Sequence, residues 1–256
     1  MTKNNIFSCH LDLPYSAVNA NGRVKVDWLL NAFQDTASQQ CHTLGISGFD
    51  MAKKQLKWVV AQYKINIHDQ IPWLAPLTLS TWRTPWKNLY EIRGFSMGIN
   101  SKPPLVTAES IWILTKASNG KPVRLKPYMP EILMQDTAEP AELIKPKDDF
   151  GEYQHEAIFP VQFIDLDLNQ HVNNRVYLRW AVESLPDPYC FEYTPVTCEV
   201  IYRKEGLFKD KISSRIRMIF SDSGLTTHHS IRKTATQEEL ARLTLCWKKL
   251  YLTKSI

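Results

Sequence analysis

DLDLNQHVNNRVYLRW, residues 165–180, puts two aspartates, three asparagines, a glutamine and a histidine into its first ten residues and then turns apolar. The apolar part has helical spacing. Val176, Tyr177, Trp180 and Ala181 fall on one face of a helix expected over 173–185, which Pro186 ends. Polar side chains ahead of such a helix serve its unpaired first amides.

The stretch has a second copy. Sliding the chain by 148 residues sets NGRVKV (21–26) on NQHVNN (169–174), and both are followed by a helical pattern. In the first half Val26, Leu29, Leu30, Phe33 and Ala37 share the buried face, with Asp27 near the helix start and Gly45 as its stop. Strand-like segments follow at 56–67, 77–84, 89–99 and 105–116, with a turn expected over 85–88. The second half opens with an extended segment at 155–164 and, after its helix, gives strands at 197–204, 211–220, 226–234 and 240–250. Trp112 and Trp247 fall in equivalent last strands. Residues 126–152 hold four prolines and many charges, and read as a linker crossing the surface. The expected organisation is a repeat over 1–125, the linker over 126–152 and a second repeat over 153–256. Each repeat is a strand, one helix and several antiparallel strands. A single helix is covered best by a sheet that wraps it, an α+β architecture.

Composition narrows the function classes. Apolar residues make up 44% and charged residues 22% of 256, a globular balance. Net charge is +5, with no long basic run, which excludes an argument for nucleic acid but would suit an acidic protein partner. The five cysteines, at 9, 41, 190, 198 and 246, show neither zinc spacing nor a disulfide framework. No apolar run approaches the ~20 residues that span a bilayer. These features read as a cytoplasmic protein that needs no cofactor.

The two copies differ in chemistry. Asn19 stands where Asp167 stands, Asn21 matches Asn169, and Arg23 replaces His171. Only the second copy has an acid and an imidazole, which suggests a site used once per chain. Asp167, Asn169 and His171 alternate by two, so in an extended segment they would project from one side. Asn173 and Asn174 read as caps. For the other three, capping and catalysis stand as equal alternatives on spacing alone.

The stretch through AVESLP (181–186) resembles the signature of the acyl-acyl-carrier-protein thioesterases of plants and bacteria. ANGRVKVDWLLNAFQDTA with LKWVVAQYKINI is similar to that family's N-terminal half, SIWILTKASNGKPVRLKPYMPEI to the segment entering its linker, and VIYRKEG to one of its strands. About residues 8–250 are covered. The resemblance implies a tandem hot dog, each antiparallel sheet wrapped round a central helix. It implies hydrolysis of the thioester between a fatty acyl chain and acyl carrier protein, with the catalytic residues in the second repeat. Position by position they fall on Asp167, Asn169, His171 and, 34 residues beyond, Glu205. Many members have a cysteine after the glutamate. This chain has Gly206, so attack by water replaces any covalent role for that cysteine.

In the expected mechanism Glu205 and His171 hold and deprotonate water, Asn169 positions water or carbonyl, Asp167 orients its neighbours, and amides near Val172 and Asn173 meet the oxyanion. The acyl tail is assigned to the first repeat, with Trp28, Leu29, Phe33 and Trp58 as contacts, though each also fits a plain core role. The expected partner is acyl carrier protein bearing its fatty acyl thioester, without nucleic acid or membrane, and the chain is a monomer or homodimer. The alternatives are an acyl-CoA thioesterase, a non-hydrolytic acyl-binding module and a dehydratase-like lyase.

Overall fold

The computed structural model describes residues 6–99, 102–135, 140, 144 and 150–250. Contacts divide the chain into two compact units, Met1–Tyr15 with Asn31–Ile144 and Ser16–Leu30 with Lys145–Ile256.

The first unit contains β1 (Ile6–Leu11), most of α1 (Val26–Thr43), α2 (Gly48–Lys53), β2 (Leu56–Ile67), β3 (Leu77–Trp86), β4 (Tyr90–Ile99) and β5 (Val106–Lys116). Its strands lie in the order β1-β3-β4-β5-β2, every neighbour antiparallel. Strict alternation makes β3 one-sided, with Leu77, Leu79, Thr81, Arg83 and Pro85 inward. All five apolar positions expected on the face of α1 are buried, and Phe33 stacks on Phe95 of β4 at 4.8 Å. Gly45 ends the helix in the left-handed region, φ 68°. The hairpin turn sits on Lys87 and Asn88, at φ 54° and 53°, so Pro85 and Trp86 extend the strand beyond the expected end. Pro85 lies where, among the described residues, β3 has no partner beyond Trp82 on the β1 side.

The second unit repeats the arrangement. β6 (His155–Pro160), α3 (Asn174–Glu183), α4 (Tyr189–Glu192), β7 (Tyr193–Tyr202), β8 (Lys211–Ser221), β9 (Gly224–Lys233) and β10 (Glu239–Lys249) give the order β6-β8-β9-β10-β7. Val176, Tyr177, Trp180 and Ala181 of α3 are all buried as expected, together with Leu178. The duplication extends to backbone detail. The bridges Val18–Val24 and Leu166–Val172 are the same feature, 148 residues apart.

Two features of the organisation cross the repeat boundaries. Ser16–Leu30 groups with the second unit by its contacts. Asn21 Nδ2 donates to Tyr193 O (3.3 Å) and Cys190 O (3.5 Å), and Asp27 pairs with Arg175 at 3.6 Å. Repeat arithmetic cannot see partners so distant in sequence. The linker also begins as packed structure. Leu125 and Met129 are buried with Ile46, Met51, Leu56 and Leu114, and a helical turn forms at Glu131–Met134. Most of 136–149 lies outside the described residues.

A hydrogen-bonded chain crosses the second unit's interior. Trp247 Nε1 donates to Thr227 Oγ1 (2.8 Å), which lies 2.8 Å from His229 Nε2, and His229 Nδ1 lies 3.4 Å from Ser184 Oγ. Burial, with His228 adding to it, pushes the His229 pKa down to about 3. An unfolded histidine titrates near 6.5. As pH falls below that value the unfolded chain binds a proton that the folded chain refuses, so stability is lost until about pH 3. The expected slope is about 1.4 kcal/mol per pH unit from this residue. Urea midpoints from pH 7 downward check it, and His229→Gln should flatten that limb.

Candidate active site

His171 sits where a tight turn runs into α3. Asp167 N donates to His171 O (2.8 Å) and Gln170 N to Asp167 O (3.0 Å), closing residues 167–171 into a loop. The Asp167 carboxylate fills it. Its Oδ1 accepts from Asn169 N (2.8 Å) and His171 N (3.2 Å). Gln170 takes φ 62° to complete the turn. The expected extended segment is therefore corrected. Asp167, Asn169 and His171 do not project together by strand alternation, and Asn169 stands exposed at the turn, its Nδ2 3.4 Å from Asp167 Oδ2.

Backbone pairing brings Glu205 to His171. Val172 N donates to Gly206 O (2.9 Å), His171 and Leu207 form a bridge, and Gly206 N donates to Tyr177 Oη (2.9 Å) from α3. Burial pushes the Tyr177 phenol far up, so it stays protonated and keeps its own proton to donate. The outcome is His171 Nε2 at 3.3 Å from Glu205 Oε2, with the two side chains 23% and 43% exposed, open to water. Gly206 leaves no room for the family's cysteine without adjustment. A Cβ there would stand 2.9 Å from Val172 Cγ2 and 3.4 Å from Tyr177 Oη.

The first repeat shows what in this loop is architecture. Asn19 Oδ1 accepts from Asn21 N and Arg23 N, both 3.2 Å, and Asn19 N donates to Arg23 O at 2.9 Å. Gly22 takes φ 75° where Gln170 takes 62°. The same turn forms with no histidine or acid, so Asp167's contacts are those of a positioning residue. Asp167→Asn should keep the turn and stay within about 0.5 kcal/mol of wild type, whereas Asp167→Ala should cost about 1–2 kcal/mol, both read from urea unfolding.

The expected oxyanion donors are also corrected. Val172 N is spent on Gly206 O, and Asn173 N on Asp165 O (2.8 Å). Asn173 caps α3 by accepting from Arg175 N (3.1 Å). Among the described residues Asn174 N, one position further on, has no acceptor. Sequence reasoning missed Asp165. Its carboxylate is 1% exposed, accepts from Gln162 N (2.9 Å) and pairs with Arg179 of α3 at 2.7 Å, pinning the turn to the helix. The signal was there, since Ala17 stands in its place in the first repeat.

Of the proposed acyl contacts, Leu29 and Phe33 are fully buried, while Trp28 and Trp58 are half-buried. Trp58 Nε1 donates to Ile46 O (3.0 Å) and packs on the cluster around Met51. These are the surroundings of core residues, and the fold does not bring the four to the His171–Glu205 pair through any described contact. Among the described residues no three His, Cys, Asp or Glu side chains gather to hold a metal ion, and no helix is long and apolar enough to cross a membrane.

Family models divide the chain between residues 133 and 150. Residues 4–133 match the family model described as Acyl-ACP thioesterase N-terminal domain, and residues 150–249 the C-terminal domain. The palmitoyl-acyl carrier protein thioesterase, chloroplastic, of Gossypium hirsutum is 26% identical over 215 residues, 78% of this chain and 52% of that protein. The chain thus spans about half the length of the first curated relatives it matches. A putative oleoyl thioesterase from Lactobacillus plantarum superposes with a TM-score of 0.87 at 21% identity, covering 97% of this chain and 98% of that one. The 12:0-ACP thioesterase from Umbellularia californica gives 0.82 at 19%, covering 96% and 94%. Those likenesses establish the fold as the expected tandem hot dog.

Proposed function

The chain belongs to the acyl-ACP thioesterase family, and from that premise we propose that it hydrolyses the thioester of fatty acyl-acyl carrier protein, releasing free fatty acid and ending chain elongation. The observation that carries this reading is the 3.3 Å approach of His171 Nε2 to Glu205 Oε2, in the second unit and open to water.

In this scheme a water held between the imidazole and the carboxylate attacks the thioester carbon. His171 takes its proton, with Glu205 beside it to stabilise the imidazolium. The tetrahedral oxyanion is met by the Asn174 amide at the start of α3, where the helix dipole adds to the hydrogen bond. Collapse expels the thiolate, a good leaving group, which His171 or solvent can reprotonate. Asp167 holds the turn, and Asn169, exposed beside it, is left to contact the carbonyl or the water. Trp28, Leu29, Phe33 and Trp58 remain proposed contacts of the acyl tail. Trp28→Ala, at a half-buried position, should shift the preferred chain length, and an unchanged profile would assign it to the core.

The test is free-thiol release from acyl-carrier-protein substrates from C8 to C18, run beside matched acyl-CoA. Faster turnover of the carrier-protein series is expected. Preference for CoA would favour the second reading, an acyl-CoA thioesterase. Release of an enoyl product without thiol from 3-hydroxyacyl substrates would favour a lyase.

A further inference from the structure

Glu205 lies just past the end of β7 with 43% of its side chain in water, yet it stands 3.3 Å from His171. A glutamate on irregular backbone has many rotamers to lose, so that geometry needs a support beyond the glutamate itself. Besides the backbone pairing, two hydroxyl groups join this segment to the start of α3. Tyr177 Oη, on α3, accepts from Gly206 N at 2.9 Å, one residue beyond Glu205. Tyr202 Oη, three residues before Glu205, donates to Asn174 O at 3.1 Å, in the first turn of α3. One bond runs from the helix to the loop, the other from the strand to the helix, and together they flank Glu205 in sequence. The two rings meet edge-on at 5.7 Å, so each also fixes the other.

A buried tyrosine commonly finds a hydrogen-bond partner for reasons of the fold alone, so the first repeat serves as a control. Leu29 stands 148 residues before Tyr177. Ile67 pairs with Val106 and Tyr202 with Ala241, and these partners lie six residues before the equivalent Trp112 and Trp247, so Ile67 stands where Tyr202 stands. Both positions are aliphatic in the copy that lacks the histidine and the glutamate. The repeat architecture forms without either hydroxyl, and the pair occurs only where His171 and Glu205 occur.

We propose that Tyr177 and Tyr202 form a brace that sets the reach of Glu205 to His171 and holds Asn174, the oxyanion donor of the scheme above. They are positioning residues. Tyr177, 2% exposed, has almost no surface with which to touch a substrate. This role rests on the hydrolase reading and adds to it the groups that keep its catalytic residues in register.

Kinetics and NMR on the full chain test the brace. Tyr177→Phe and Tyr202→Phe keep the rings and remove one hydroxyl each. Each should lower kcat for acyl-carrier-protein hydrolysis about tenfold at unchanged KM, the mark of lost alignment rather than lost substrate binding. In a Glu205→Ala background, Tyr177→Phe should cost nothing further, since no carboxylate remains to be placed. The His171 ring-nitrogen resonances, read at fixed pH, should move in Tyr177→Phe part of the way toward their positions in Glu205→Ala. Wild-type kcat in both variants overturns the brace. A tenfold loss that persists in the Glu205→Ala background overturns it too, by marking a general effect on the fold, as does a rise in KM alone. If Tyr177→Phe does not fold, Tyr202→Phe, at a half-buried position, carries the same kcat and resonance tests. A wild type that releases no thiol from any acyl substrate sinks the hydrolase reading. The His171 resonances then decide the brace by themselves, displaced in the variants if it stands and unmoved if it falls.

Discussion

His171→Ala is expected to lower kcat for acyl-carrier-protein hydrolysis by about a thousandfold, within the range that a general base supplies. The effect should fall on kcat rather than on KM, because imidazole acts on water and not on the acyl tail. Folding should be little changed. The side chain is part-exposed, and its one described ionic partner is Glu205. Glu205→Gln keeps the side-chain shape but removes the charge facing Nε2, and a loss of similar size is expected. The two residues act on one water, so the double variant should be little worse than the poorer single one, far short of the product of the two losses. Stopped assays of thiol release on the three variants check this. Turnover near wild type in either single variant would remove that residue from the scheme, and a fully multiplicative double variant would show that the two act on different steps.

Helix faces and strands were legible because burial follows periodicity, and β2 runs over the residues expected of it, Leu56–Ile67. The duplication was legible too, and it carried more than was taken from it. Gly22 marks the position where Gln170 must adopt a left-handed backbone, so the first repeat already announced a turn where strand alternation suggested an extended run. Asn19 likewise announced that an amide can do what the Asp167 carboxylate does for the loop. What the sequence could not disclose is pairing at a distance. Glu205 reaches His171 through the Val172–Gly206 and His171–Leu207 contacts, which have no local signature, and without the family resemblance it reads as a strand-end charge. For the same reason the amides of Val172 and Asn173 looked available until their acceptors, Gly206 and Asp165, were in place. Arg83 and Glu91 drew no assignment from the sequence. Yet the phase of β3, inward at Leu77 and Leu79, puts Arg83 inward as well.

That phase leads to the largest expected loss of stability. Arg83 and Arg93 are cross-strand partners on the inner face of the first unit, exposed 0% and 3%. The carboxylate of Glu91, itself 3% exposed, engages Arg83 through Nε and Nη2, while Arg93 is met by neutral groups, Gln40, Thr81 and Cys41. Glu91→Ala would remove the carboxylate that engages Arg83 through two nitrogens and leave the two guanidinium groups facing each other in the interior. Removing one partner of a buried pair costs about 3–5 kcal/mol, and the directly opposed like charges argue for the upper part of that range. Glu91→Gln should recover only part of the loss, because it restores an acceptor but not the charge. Salt should not rescue either variant, since screening does not reach a buried pair. Replacing both members, as Arg83→Met/Glu91→Leu, should come out close to wild type, because the desolvation cost of the pair disappears with its attraction. Urea unfolding of the four proteins at two salt concentrations decides it. A Glu91→Ala protein within about 1 kcal/mol of wild type would mean that water or a rearranged chain reaches Arg83, and that the interior of the first unit is not closed around its charges.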